Sequence, residues 1–395
     1  MSSSINPRTQ SRTRALEICL LAIALPGIAL GILDLWPKRR SNDVVDVANY
    51  LGRSPFVLTS TPKPVSLPIS EEQLLAVAKK IVSAASVQSQ SPSALLHATR
   101  LARLVGPDVT AWMERDYAQR IVRLNLNSDV FQDSWRGIEA RQTADGERTE
   151  HRDQFLAALA QFGVDLSCVA GRKTANQKPF QVRDLLRTSL AEFHLNQPEL
   201  SWTATAFALY LPPQLHWFNR YGERFDFDDL ARTLIAKPLD SESCSGIHLM
   251  LALTTIMKVD RDAHILREDT RTRLGEYLSM RVREAVDSQL PDGSWPVFWA
   301  KSGFDGNGLP RATPAASFSR RLTIGGHLLE WFQLLPLDRQ PPEATIKRGL
   351  LWVVPQLLSM DDARFAAEIC PCTHALLAVE GALRRNSNRD ASASR

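Results

Sequence analysis

The chain has 395 residues, 47 Lys+Arg against 43 Asp+Glu, and 44% hydrophobic residues. Charged residues at 23% and aromatics at 7% are ordinary globular values, which excludes a wholly disordered chain; the length suits one large domain or two ordinary ones. A net charge of +4 is mild, no basic stripe with interleaved aromatics occurs, and five Cys are too few for a disulfide scaffold. Nucleic acid is therefore not an expected partner, nor is a small cross-linked fold expected.

A basic tail, residues 1–16, precedes the first apolar stretch. Ile18 to Leu33 carries no charge and is bounded by Glu17 and Asp34. With Leu35 and Trp36 it nears the ~20 residues a helix needs to cross a bilayer. Arg8, Arg12 and Arg14 flank one side, and Lys38, Arg39 and Arg40 the other; Trp36 stands where an interfacial aromatic would. We expect residues 17–37 to anchor a single-pass membrane protein with its body outside the cytoplasm. The equal basic flanks leave the orientation open. Two alternatives remain: a cleaved signal peptide ending near Ala29-Leu30-Gly31, and a buried helix. Residues 38–69 are rich in Ser, Thr and Pro and read as a linker. Residues 386–395 form a polar tail that reads as disordered.

Between them, residues 70–385 show apolar residues at helical spacing and few alternating β-branched runs. The body reads as all-α. A polar or small start followed by a Leu/Ala-rich helix recurs from His97, Gln154, Ala204, His248, His327 and His374. Each interval leaves room for a second helix. About six inner/outer pairs suggest an α/α toroid behind the N-terminal transmembrane helix, with an open solenoid as the alternative. The interval between His248 and His327 is the longest, and it holds a Gly- and Pro-rich loop from Pro291 to Arg321. The aromatic patch Trp217, Phe218 and Tyr221 reads as packing.

One segment carries a resemblance. Gln289-Leu290-Pro291-Asp292-Gly293-Ser294-Trp295 resembles the Q-x-x-D-G-S-W motif of squalene-type and other terpene cyclases, and Gln142 to Gly146 resembles a degraded second copy. Protein prenyltransferase β subunits share that superfamily's toroid. The resemblance implies that the segment joins one helix to the next, its Gly allowing the turn and its Trp burying against a neighbour. It speaks for fold rather than activity.

Two groups of residues are candidate sites. Asp226, Asp228 and Asp229 resemble the D-x-D-D acid of class II terpene cyclases, which protonates an alkene. Their place before Asp229-Leu-Ala-Arg-Thr-Leu, an outer helix, favours a helix cap instead. The second group is a repeated Cys/His pattern: Cys244 with His248, Cys370 and Cys372 with His374, and Thr323 with His327. Ser93 to His97 aligns more weakly. Cys and His four apart share a helix face, one turn from its start, so inner helices would bring these side chains to one mouth of the barrel. Thiolate and imidazole are zinc ligands, so Cys244, His248, His327, Cys370, Cys372 and His374 form a hypothetical zinc site. Structural roles, and a disulfide between Cys244 and Cys370, compete with it.

Three function classes follow. The preferred one is a non-catalytic module that binds a protein or small molecule. The others are a terpenoid cyclase- or prenyltransferase-like enzyme with a Cys/His zinc site, and a carbohydrate-active enzyme on an α/α barrel. The last would need convergent carboxylates, for which Asp226, Asp228 and Asp292 are the candidates.

Overall fold

The computed structural model describes residues 54–56, 58, 70, 72, 73, 76, 97, 131–134, 137–140, 151–168, 181–211, 216–239, 242–300 and 317–379. The expected anchor at 17–37, the second motif copy at 142–146 and the tail at 386–395 lie outside these residues. No helix among the described residues is long and apolar enough to cross a membrane.

Helix accounts for 68% of this region and strand for 3%, so it is all-α. The helices are α1 (Gln154–Gln161), α2 (Val182–Ala191), α3 (Leu200–Tyr210), α4 (Phe227–Ala236), α5 (Ile247–Ala263), α6 (Glu268–Asp287), α7 (Phe318–Leu334), α8 (Glu343–Ser359), α9 (Asp362–Ala367) and α10 (369–379). Two short antiparallel strand pairs accompany them: β1 (Phe131–Ser134) with β2 (Gly137–Ala140) ahead of α1, and β3 (His216–Phe218) with β4 (Arg224–Asp226) between α3 and α4.

The helices are of two kinds, and composition decides which. Every residue of α3 is buried, and α5 is buried over nearly all of Ile247 to Asp260. A helix apolar all round has no face to give to water and lies inside. α4 and α6 instead bury one stripe, Leu230, Ala231 and Leu234 in the first and Leu274, Leu278, Val282 and Ala285 in the second. Most of their charged residues lie on the other side, with Glu284 of α6 buried and ion-paired to Arg281 at 2.7 Å. α3 packs between α1 and α5, and α5 meets α7. α7 meets α10 at Gly326, where a Cβ would come within 2.7 Å of the Ala375 amide nitrogen.

The buried helices α1, α3 and α5 begin alike. Their cap residues Asp153, Glu199 and Gly246 have φ of 60°, 56° and 78°. Glycine accepts that conformation at no steric cost, whereas Asp and Glu must be held in it. Asp153 is held by hydroxyls donated from Ser189 (2.7 Å) and Thr203 (2.5 Å). Glu199 is held by Ser243 (2.7 Å) and His151 (2.9 Å).

The segment 289–295 joins the end of α6 to the face of α8. Leu290 and Ser294 close a tight turn through Leu290 N–H to Ser294 O (2.9 Å), with Gly293 at φ 92°. Gln289 donates to the Thr345 carbonyl (2.9 Å) and accepts from Arg348, both on α8. Trp295 is fully buried and donates to the Ala285 carbonyl (2.7 Å). Its ring fills the space beside Gly349, where a Cβ would come within 2.6 Å of it.

Two details were not expected from the sequence. The hairpin β3–β4 places Trp217 in a cage of Phe193, Phe207, Phe225 and Phe227, while Phe218 and Tyr221 point out. Within the expected linker, Phe56 N–H donates to the Leu209 carbonyl (3.0 Å), and Pro55 and Leu58 are buried. That short stretch is packed on the end of α3.

Candidate metal centre

Histidines from several buried helices meet side by side. His248 opens α5, His327 lies on α7 and His374 on α10. The Nε2 atoms of His248 and His327 stand 3.1 Å apart, and the rings of His327 and His374 stack with centroids 3.4 Å apart. His97 meets the edge of His374 at 6.0 Å between centroids. Trp202 of α3 lies 4.5 Å from His248 between centroids, and His151 lies 6.0 Å from His248. His97, His248, His327 and His374 are all buried, whereas Cys244 and Cys370 are half-buried.

The ligand atoms fall into two groups. Cys244, His248 and His327 form one, and His97, Cys370 and His374 the other; within each, the three atoms lie inside 4.8 Å of one another. These are groups that can hold a metal ion. Two nitrogens bound to one zinc at about 2.0–2.1 Å with tetrahedral angles would stand roughly 3.3 Å apart. The observed 3.1 Å between His248 and His327 is near that edge.

The outer hydrogen bonds orient the rings for this. His327 Nδ1 lies 2.7 Å from the Thr323 carbonyl. A carbonyl only accepts, so Nδ1 carries the proton and Nε2 of the neutral ring offers its lone pair. Glu330 accepts from His374 Nδ1 in the same way. Glu199 accepts from His151 Nδ1 at 2.9 Å. A carboxylate or carbonyl behind the far nitrogen fixes tautomer and ring plane, and this is how metal-bound histidines are normally supported. Against the cost of burial, hydrogen bonds from His151 and Ser243 hold the Glu199 carboxyl below its ordinary range.

The expected positions need adjustment in two places. Cys244 is not on a helix: Cys244, Ser245 and Gly246 have φ of 51°, 54° and 78°, a left-handed run that precedes α5. His327 is not one turn from a helix start, because α7 begins at Phe318. What brings the pair together is the crossing of α5 and α7 rather than a shared distance from the helix ends. Cys372 lies elsewhere. Its buried thiol contacts Met360 Sδ at 3.6 Å, and burial with the nearby Glu368 pushes it up to about 12. No disulfide forms among the described cysteines.

The acidic candidates have other partners. Asp226 caps α4 by accepting from Asp229 N–H (2.8 Å), and Asp229 accepts from Asp226 N–H (3.3 Å). Burial, with the charge of Asp226 beside it, raises the Asp229 carboxyl. Asp228 is buried and ion-paired to Arg267 at 3.0 Å, while also accepting from the Arg267 amide (3.1 Å). Asp292 turns the 289–295 segment by accepting from Ser294 and pairs with Arg321. Asp226, Asp228 and Asp229 share the start of α4, tied to the helix N–H groups and to Arg267, and Asp292 lies on the separate 289–295 segment.

His151, Trp202, Glu199 and Glu330 escaped the sequence reading. His151 stands two residues before the cap of α1, and Trp202 heads the run Trp202-Thr203-Ala204 in α3. Position within the repeat was their only signal. No protein-family model, curated protein or solved structure matches this chain.

Proposed function

We propose that this chain is a membrane-tethered α/α-toroid protein with a zinc centre at its axis, formed by Cys244, His248 and His327, and that the centre is catalytic. The observation that carries this reading is the 3.1 Å approach of two imidazole nitrogens beside a cysteine. One thiolate with two imidazoles selects a borderline-soft cation such as zinc over magnesium or calcium. Three protein ligands leave a fourth position for water or a substrate donor, as catalytic zinc sites do. Zinc held by these three residues would supply a nucleophile activated at neutral pH. Half-buried Cys244 marks the side from which a small molecule would enter, and Trp202 gives the pocket an apolar wall.

The toroid reading draws support from the contact of His97 with His374, two residues that the sequence pattern assigns to its first and last repeats. The tether rests on the apolar stretch 17–37, and the body is assigned to the extracytoplasmic side. The likeness to terpenoid cyclases and prenyltransferases enters as a resemblance of the 289–295 segment and of architecture, with the substrate class left to chemistry at the zinc. Burial of the histidines favours a second reading, the non-catalytic module, in which the ion only fastens helices.

The test uses the full chain purified in detergent, without chelator or immobilised-metal resin. Metal content is measured by mass spectrometry, and the zinc is exchanged for cobalt. Zinc that is lost in Cys244→Ser or His327→Ala supports the centre, and a wild-type protein without metal overturns it. Cobalt absorption that shifts on adding azide or a small thiol supports the open position. A spectrum indifferent to both returns the ion to the fastening role.

A further inference from the structure

We propose that His97, Cys370 and His374 form a second zinc site that repeats the first one around the ring, so that the protein carries a two-metal centre. This rests on the toroid and zinc readings given above and extends them.

The two groups share one pattern. In the first, Cys244 and His248 stand four apart in the chain and the third ligand, His327, comes from the next buried helix. In the second, Cys370 and His374 stand four apart and the third ligand, His97, comes from a different repeat. In a closed ring the repeat of His97 is the next one after α10. The same rule then generates both groups: a Cys-x-x-x-His pair plus one His from the following inner helix.

Burial repeats as well. Each cysteine is half-buried and each histidine buried. Orientation repeats too: the Nδ1 of His374 is held by Glu330, as that of His327 is held by Thr323. A packing role for these residues asks for none of this. Two apolar residues would fill the space without bringing thiol and imidazole donors within 4.8 Å of one another twice over.

The two sites adjoin through the stacked rings of His327 and His374. Two divalent ions with two thiolates leave two positive charges to offset. Glu330 stands directly behind His374, and Glu199 stands behind His151, next to His248. Adjacent cations offset by outer carboxylates suit a ligand that bridges them through an oxygen or a thiolate.

The test counts metal in the full chain, purified in detergent as above, for wild type, Cys244→Ser, Cys370→Ser and His97→Gln. Two zinc ions per chain are expected in the wild type, one in each single variant, and none in Cys244→Ser combined with Cys370→Ser. Far-ultraviolet circular dichroism of each variant establishes that it is folded. One ion in the wild type, kept in folded His97→Gln and lost in Cys244→Ser, overturns the second site and leaves the first intact. One ion lost in every folded variant means a single shared site and also overturns the proposal. A wild type without metal overturns both the second site and the reading it rests on.

Discussion

The 289–295 segment and the histidine cluster both tie neighbouring helices together, and they do so by opposite means. In the segment, each polar group meets a complementary one. Gln289 reaches the Thr345 carbonyl, Trp295 reaches the Ala285 carbonyl, and Asp292 accepts from Ser294. The indole fills the remaining volume. In the cluster the groups are of one kind: the Nε2 atoms of His248 and His327 share a 3.1 Å hydrogen bond whose donor depends on the tautomer, and two imidazole rings stack. A seam of complementary groups is stable by itself. A gathering of Lewis bases gains most from a cation placed among them, which is why we assign chemistry to the second region and architecture to the first.

The largest expected effect tests the seam. Trp295→Ala empties a fully buried site and should cost about 3–5 kcal/mol in denaturant unfolding. Zinc content per folded chain should not change. A variant that keeps its stability would mean the indole is not the fastener we describe. Gly293→Ala comes next, with an expected loss of about 2–4 kcal/mol. It puts a Cβ at φ 92° and onto the Arg348 carbonyl. A loss well under 1 kcal/mol would show that the turn relaxes easily.

The cluster is probed by chelation. On the proposed zinc centre, chelation of the wild type should lower the thermal midpoint by the equivalent of about 2.7 kcal/mol for each site that had been in free zinc at 100 times its dissociation constant. His248→Ala, left with the second group alone, should respond by a smaller amount than the wild type. An equal response in both proteins would place the bound metal elsewhere. A smaller effect separates the cluster from the acidic candidates. Asp226→Ala removes the cap of α4 and should cost about 1 kcal/mol, with zinc content unchanged.

The smallest effect concerns pH. Hydrogen bonds hold the Glu199 carboxyl below its ordinary value despite burial. A group depressed in the folded state adds stability above its unfolded pKa of about 4.3. That contribution is lost as the pH falls through the folded value. Denaturation midpoints of Glu199→Gln and wild type should therefore converge at acid pH and separate above it. Parallel curves throughout would sink the assignment.

Much of the outer architecture was legible. The stripe of Leu274, Leu278 and Val282 announces a one-sided helix, and the uncharged run of α3 announces a buried one. The acidic run reads in one dimension as a helix cap by Asp226 or Asp228; the structure makes Asp226 the cap, with Asp229 completing a capping box. The hairpin β3–β4 was not legible, because Trp217 alternates with its neighbours over only three residues, too few to show a period. Nor was the left-handed run at Cys244, since nothing local favours positive φ at Cys and Ser.

The amino-acid sequence by itself determined the all-α class, the division into buried and one-sided helices, and the identity of most candidate ligands. Those properties follow from periodicity and side-chain chemistry, which are local. Only the tertiary structure decided which ligands stand together. It brought His327 to His248 across 79 residues and to Cys244 beside it, set His97 beside Cys370, and turned Cys372 toward Met360. It also supplied Glu330 and Glu199 behind the rings. The reason is geometric: a ligand group is a set of distances of a few ångströms between helices, and such distances are fixed by how helices cross, not by spacing along the chain.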